Sequence, residues 1–192
     1  MADLPRVLLL GDSIRMSYQA HVANMMEADA QVVGPLENCQ YSAFTNDNLA
    51  GWIDELGTPQ VVHWNNGLHD VGHNPAREPV QFPLDDYIGN LRAIYDQLVG
   101  TGATIIWATL TPIHPQRPFR DDGWGWKNSE IDQYNTAVLE LINSFGIEVN
   151  DLHAVVSSDI ERYFSEDMLH LSLDGQQACA EAVVKRVTAA LG

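Results

Sequence analysis

The feature that most constrains this chain is the regular alternation of short apolar runs with longer amphipathic ones. Arg6–Gly11 (RVLLLG) is almost continuously apolar and closed by glycine, the pattern of a strand buried on both faces. Gln31–Gly34, Gln60–Trp64 and Thr104–Thr109 repeat that pattern, the last rich in β-branched residues and stopped by Thr111-Pro112; Ile147–Asn150 is a weaker fifth. Between them, Leu84–Val99 places Tyr87, Ile88, Leu91, Ile94, Tyr95 and Leu98 at helical spacing before Gly100 and Gly102. Ser129–Phe145, Leu173–Leu191, Thr45–Leu56 and a stretch near Ser17–Glu27 read as further helices. Strands alternating with helices predict an α/β fold: a three-layer α/β/α sandwich around a parallel, flavodoxin-like sheet of about five strands. Such sheets bind ligands at the carboxyl ends of their strands.

The 192 residues contain no repeat, low-complexity tract or Ser/Gly linker, so 1–192 reads as a single domain. Ten Lys+Arg against 26 Asp+Glu leave a net charge of −16. That surface repels phosphate backbones and anionic lipid heads, so neither nucleic acid nor membrane is an expected partner. No apolar stretch approaches the roughly 18 residues of a membrane span. Met1-Ala2-Asp3-Leu4-Pro5-Arg6 lacks the basic-then-apolar order of a leader, and the chain reads as cytoplasmic, or as secreted or periplasmic if a leader has been removed. Cys39 and Cys179 are the only cysteines and form no CxxC, which argues against a disulfide scaffold and a Cys-rich zinc site. Nothing in the sequence sets an oligomeric state.

Two motifs carry chemistry. Gly11-Asp12-Ser13 directly follows the first expected strand, which puts the Ser13 hydroxyl at the carboxyl edge of the sheet. Asp167-Met168-Leu169-His170 precedes the last helix. A serine is a poor nucleophile until an imidazole takes its proton, and that imidazole needs a carboxylate on its other nitrogen. Asp167 and His170, three apart, supply that pair. Each motif alone has a plainer reading, a helix cap for Gly-Asp-Ser and a surface histidine near a carboxylate for the other. Their placement at the two ends of the alternating pattern favours the chemical one.

With these blocks the chain resembles the SGNH (GDSL-type) hydrolases over nearly its whole length. Asn38–Thr45 (NCQYSAFT) looks like the family's second block, with Ala43 where a glycine usually offers its N–H to the oxyanion hole. Gly67-Leu68-His69-Asp70 stands for the third block, usually Gly-x-Asn-Asp, so His69 occupies the place of the donating Asn. An imidazole N–H can make the same bond, and Asp70 is expected to hold the other His69 nitrogen or to tie down the loop. The run His63–Asp70 resembles a subgroup in which His replaces that Asn, associated with carbohydrate esterases.

The resemblance implies a serine esterase without metal or organic cofactor. Ser13 would be the nucleophile, His170 the base and Asp167 its orienting acid; the N–H groups of Ser13 and Ala43, with His69, would form the oxyanion hole. A small-molecule or carbohydrate ester is the implied substrate, with acetyl the foremost acyl group. A lysophospholipase or thioesterase on the same scaffold and a non-catalytic carbohydrate-binding relative are the alternatives. The Gly-x-Ser-x-Gly elbow of the α/β-hydrolases is absent.

Other residues invite weaker readings. His69 and His73 would share a face if their segment were helical, a metal-ligand spacing, but Gly72 and Asn74-Pro75 oppose a regular helix and no metal site is expected. His63, inside an apolar run, is expected to be a hydrogen-bonded core histidine. Pro112–Asn128 is long for a loop and lies on the Ser13 edge. Its Phe119, Trp124 and Trp126, together with Trp64, are the candidates for substrate contact, and Arg117 and Arg120 for binding an acid group. The same aromatics suit packing the loop onto the body equally well.

Overall fold

The computed structural model describes residues 4–192; the reading of Met1–Asp3 lies outside them. Five strands form one sheet, β1 (Arg6–Leu10), β2 (Gln31–Val33), β3 (Val61–Trp64), β4 (Thr104–Ala108) and β5 (Glu148–Asn150), in the order β2-β1-β3-β4-β5. Every pairing is parallel. Val7–Leu10, Val61 and Val62, and Ile105–Ala108 are buried, as strands covered on both faces must be.

The helices are α1 (Ser13–Met25), α2 (Ser42–Leu56), α3 (Leu68–Val71), α4 (Leu84–Val99), α5 (Asn128–Phe145), α6 (Leu152–Ser157), α7 (Ile160–Tyr163) and α8 (Leu173–Leu191). α1 packs on α8 across one face of the sheet, while α2, α4 and α5 pack in sequence over the other. The amphipathic spacing read in Leu84–Val99 is realised in α4, which buries Tyr87, Leu91, Ile94 and Leu98.

α1 and α2 start earlier than the apolar spacing predicts, at Ser13 rather than near Ser17 and at Ser42 rather than Thr45. In α1 the reason is a cap: the Asp12 carboxylate accepts from the N–H of Ile14 at 2.9 Å, so the helix begins at the serine itself. α3, α6 and α7 are short helices with no periodic signal. The chain winds outward in both directions from β1, so the crevice between the carboxyl ends of β1 and β3 is the topological switch point. Gly11-Asp12-Ser13 leaves one strand there and Gly67-Leu68-His69 follows the other.

Candidate active site

The turn out of β1 is built for close approach. A Cβ on Gly11 would stand 2.7 Å from the Cβ of Arg15, so only glycine lets the chain fold back onto α1 here. Arg15, buried in α1, donates to the carbonyls of Gly11, Pro35 and Glu37, the last two at 3.0 Å. It thus stitches the Ser13 turn to the segment that leads from β2 into α2.

Ser13 Oγ lies 3.0 Å from His170 Nε2, across 157 residues of sequence. His170 Nδ1 lies 2.5 Å from Asp167 Oδ2. The other Asp167 oxygen accepts from the N–H groups of Leu169 and His170 at 2.9 and 2.8 Å and from Ser165 Oγ at 2.8 Å. Partial burial alone would raise the Asp167 carboxyl; the bonds from His170, Leu169 and Ser165 outweigh it and hold the group well below the usual carboxylate range. The loop closes tightly, with Met168 at φ 62° in the left-handed region and the Ser165 N–H donating to the His170 carbonyl at 2.8 Å. Non-glycine residues in that region concentrate at functional sites. The tertiary structure therefore joins Ser13, His170 and Asp167 into one relay.

Ala43 is the second residue of α2, one of the first-turn positions whose N–H has no acceptor within the helix. His69 sits in α3 and lines the same pocket as Ser13 and His170. Burial lowers its imidazole pKa; the Asp12 carboxylate opposes this, while Arg77 and His170 add to it, so the ring is neutral at pH 7. Of the two roles expected for Asp70, the structure shows the second. Its carboxylate accepts from the Ser42 N–H at 2.9 and 3.0 Å and from the Ser42 hydroxyl at 2.6 Å, binding the start of α2 to the turn after β3. Burial raises the Asp70 pKa to about 6 against these bonds. A Cβ on Gly67, at φ 140°, would meet the Tyr87 hydroxyl at 2.5 Å and Leu110 at 2.9 Å, so the turn that presents His69 requires glycine.

The pocket over Ser13 has a volume of about 640 Å³. Asn38, Leu68, Trp124, Trp126, Arg117 and Arg120 contribute to its walls. Trp124 and Trp126 stack with centroids 5.3 Å apart, and Trp124 meets the His69 ring edge-on at 5.0 Å. The Trp126 indole N–H donates to the Leu68 carbonyl at 2.7 Å, so it also anchors the long loop. Asn128 grips both backbone groups of Ile113 at 2.9 Å, closing the base of that loop.

Two of the expected substrate contacts are not in this pocket. Trp64 is fully enclosed, edge-on to Trp107 at 4.8 Å, with its N–H donated to Asn66 at 2.8 Å. The cause is its place in β3, where both sheet faces are covered. Phe119 packs against the His73 ring at 5.3 Å, outside the pocket lining. His73 itself is 2.7 Å from Glu130. His63 is the core histidine expected, 3.0 Å from the Asn150 amide, with burial pushing its pKa down to about 3.

Sequence reasoning missed Arg77. It donates to the carbonyls of His69 at 2.5 Å and Gly72 at 2.7 Å and lies 4.6 Å over the Trp124 ring, fastening α3 to the aromatic wall. An isolated arginine in an irregular segment gave no periodic signal.

The fold is a doubly wound parallel sheet, and Ser13, His170 and Asp167 form one hydrogen-bonded row at its switch point. The GDSL-like lipase/acylhydrolase family matches residues 9–178, and the chain belongs to that family: it is a hydrolytic, ester-cleaving enzyme. No curated protein matches it in sequence. Among solved structures it is similar to the acetyl xylan esterase AlAXEase, with a TM-score of 0.78 at 16% identity over 95% of this chain and 99% of that one. Axe2, an acetylxylan esterase from Geobacillus stearothermophilus, superposes with a TM-score of 0.75 at 18% identity over 97% and 95%. A lipase/acylhydrolase from Enterococcus faecalis gives 0.74 at 16% identity over 97% and 96%. At these identities the likeness is one of fold.

Proposed function

We propose that this enzyme is a carbohydrate esterase that removes short acyl groups, acetyl foremost, through an acyl-enzyme on Ser13. The observation that carries the proposal is the unbroken Ser13–His170–Asp167 relay, with spacings of 3.0 and 2.5 Å, opening into an aromatic-walled pocket. His170 Nε2 takes the Ser13 proton as Oγ attacks the ester carbonyl, and Asp167 fixes the imidazole with its other nitrogen protonated. The N–H groups of Ser13 and Ala43 and the His69 side chain receive the negative charge on the carbonyl oxygen. His170 then hands its proton to the departing alcohol. Water, deprotonated by the same imidazole, releases the acid and restores Ser13.

The acetyl and sugar parts of the reading draw on two further observations. AlAXEase and Axe2, whose folds this chain shares, bear the name acetyl xylan esterase. Trp124 and Trp126 give the pocket an aromatic wall beside the site, against which the apolar side of a sugar can pack.

The test is hydrolysis of an aryl acetate by the wild type and by Ser13→Ala, each with a chelator present. Turnover that survives the chelator and falls by about 10³-fold or more in the variant is expected. Equal rates in the two proteins would remove Ser13 as nucleophile.

A further inference from the structure

The long loop between β4 and α5 brings two arginines to the pocket of an otherwise strongly acidic protein. The Arg117 guanidinium lies 5.0 Å over the Trp126 ring, and its Nε donates to the Asp167 carbonyl at 3.2 Å. These contacts hold it against the wall, yet its Nη1 is enclosed and meets no acceptor among the described residues. No carboxylate oxygen lies within 4.0 Å of the Arg117 guanidinium among the described residues, so its charge is left for a ligand in the pocket it lines. Arg120 stands on the same wall. Among the described residues its one carboxylate contact, Asp122 at 3.3 Å, is solvent-exposed and correspondingly weak.

Both acids that line the pocket, Asp12 and Asp167, are already engaged. Asp167 is committed to His170, and Asp12, next to Ser13, caps α1 and faces His69. An anionic ligand in the pocket is therefore drawn to the arginines.

We propose that the substrate carries a carboxylate beside its scissile ester, as an O-acetylated uronic-acid saccharide does, and that Arg117 and Arg120 receive that carboxylate. The proposal rests on the esterase reading and adds to it the charge of the substrate. A guanidinium fork matches the two oxygens of a carboxylate. A phosphate would find the same arginines, but in a protein of net charge −16 a monoanion is repelled less than a dianion.

The experiment compares acetate release from three probes: an O-acetylated methyl glucuronoside, its uncharged carboxamide, and an acetylated methyl glucoside 6-phosphate. Wild type is expected to favour the acid over the amide by about tenfold or more in kcat/KM at low salt. Added NaCl should shrink that ratio. Arg117→Gln should lower it, and Arg120→Glu should bring it down to one or below, an inversion that loss of fold cannot imitate because both esters are read on the same protein. Equal kcat/KM for acid and amide in the wild type would overturn the proposal while leaving the esterase reading intact. A preference for the phosphate would overturn the carboxylate assignment. Failure on all three probes and on aryl acetate would remove the esterase reading, and this proposal with it.

Discussion

The Asp70 carboxylate receives both the N–H and the hydroxyl of Ser42, and so locks together two loops that are 28 residues apart in sequence. The two proposed oxyanion donors flank this pair directly: Ala43 follows Ser42, and His69 precedes Asp70. One buried carboxylate thus sets the separation of the two proposed donors.

Asp70→Ala should therefore affect both stability and rate. The variant leaves the buried Ser42 N–H without its acceptor, which costs about 1–3 kcal/mol. Chemical denaturation should show that loss, and kcat on an aryl acetate should fall more than KM rises. Unchanged kcat would separate the Ser42–Asp70 link from catalysis.

His69 is expected to act through its N–H. His69→Ala should lower kcat by about 10²–10³-fold with little effect on KM. His69→Asn, which restores a side-chain N–H, should recover part of that loss. Equal rates for the Ala and Asn variants would exclude hydrogen-bond donation at this position.

For Asp167 the structure predicts a loss of orientation. Asp167→Asn would offer His170 Nδ1 an amide in place of a carboxylate and favour the wrong tautomer, so kcat should drop by about 10⁴-fold. The Leu169 and His170 N–H groups can still donate to the remaining oxygen, so the loop should hold its form. Near-wild-type turnover would show that Asp167 does not orient the base.

His63 sets a pH dependence of stability. Its pKa is pushed down to about 3 by burial, from an unfolded value of 6.5, so between those pH values the unfolded chain binds more protons than the folded one. Its contribution is fully present above pH 6.5 and is lost as pH falls toward 3, reaching about 3 kcal/mol by pH 4. Asp70, raised to about 6, works in the opposite direction over part of that range, losing stability as pH rises toward 6. Comparison with His63→Gln, which keeps an acceptor for the Asn150 amide, cancels the Asp70 contribution. The stability difference between wild type and variant should narrow on acidification in favour of the variant; parallel pH curves would refute it.

Much of this protein is legible from the sequence because its signals are local. Apolar runs such as Val7–Leu10 could be read as strands since both sheet faces are covered, and α4 and α5 since a buried helical stripe repeats every three to four residues. Trp64 shows the limit of that reading. Its aromatic character and its position near the site suggested substrate contact, but membership of a doubly covered strand sends the ring into the core.

The order of the strands and long helices, and the residues able to perform serine-hydrolase chemistry, follow from local propensity and spacing, which the sequence alone determines. The 3.0 Å approach of Ser13 to His170, the Asp70 bond to Ser42 and the clamp of Arg77 on α3 join segments distant along the chain. Only the tertiary structure decided these, because such partners are chosen by the packing of the sheet and its helices, and no local pattern encodes which distant atoms that packing brings within a hydrogen bond.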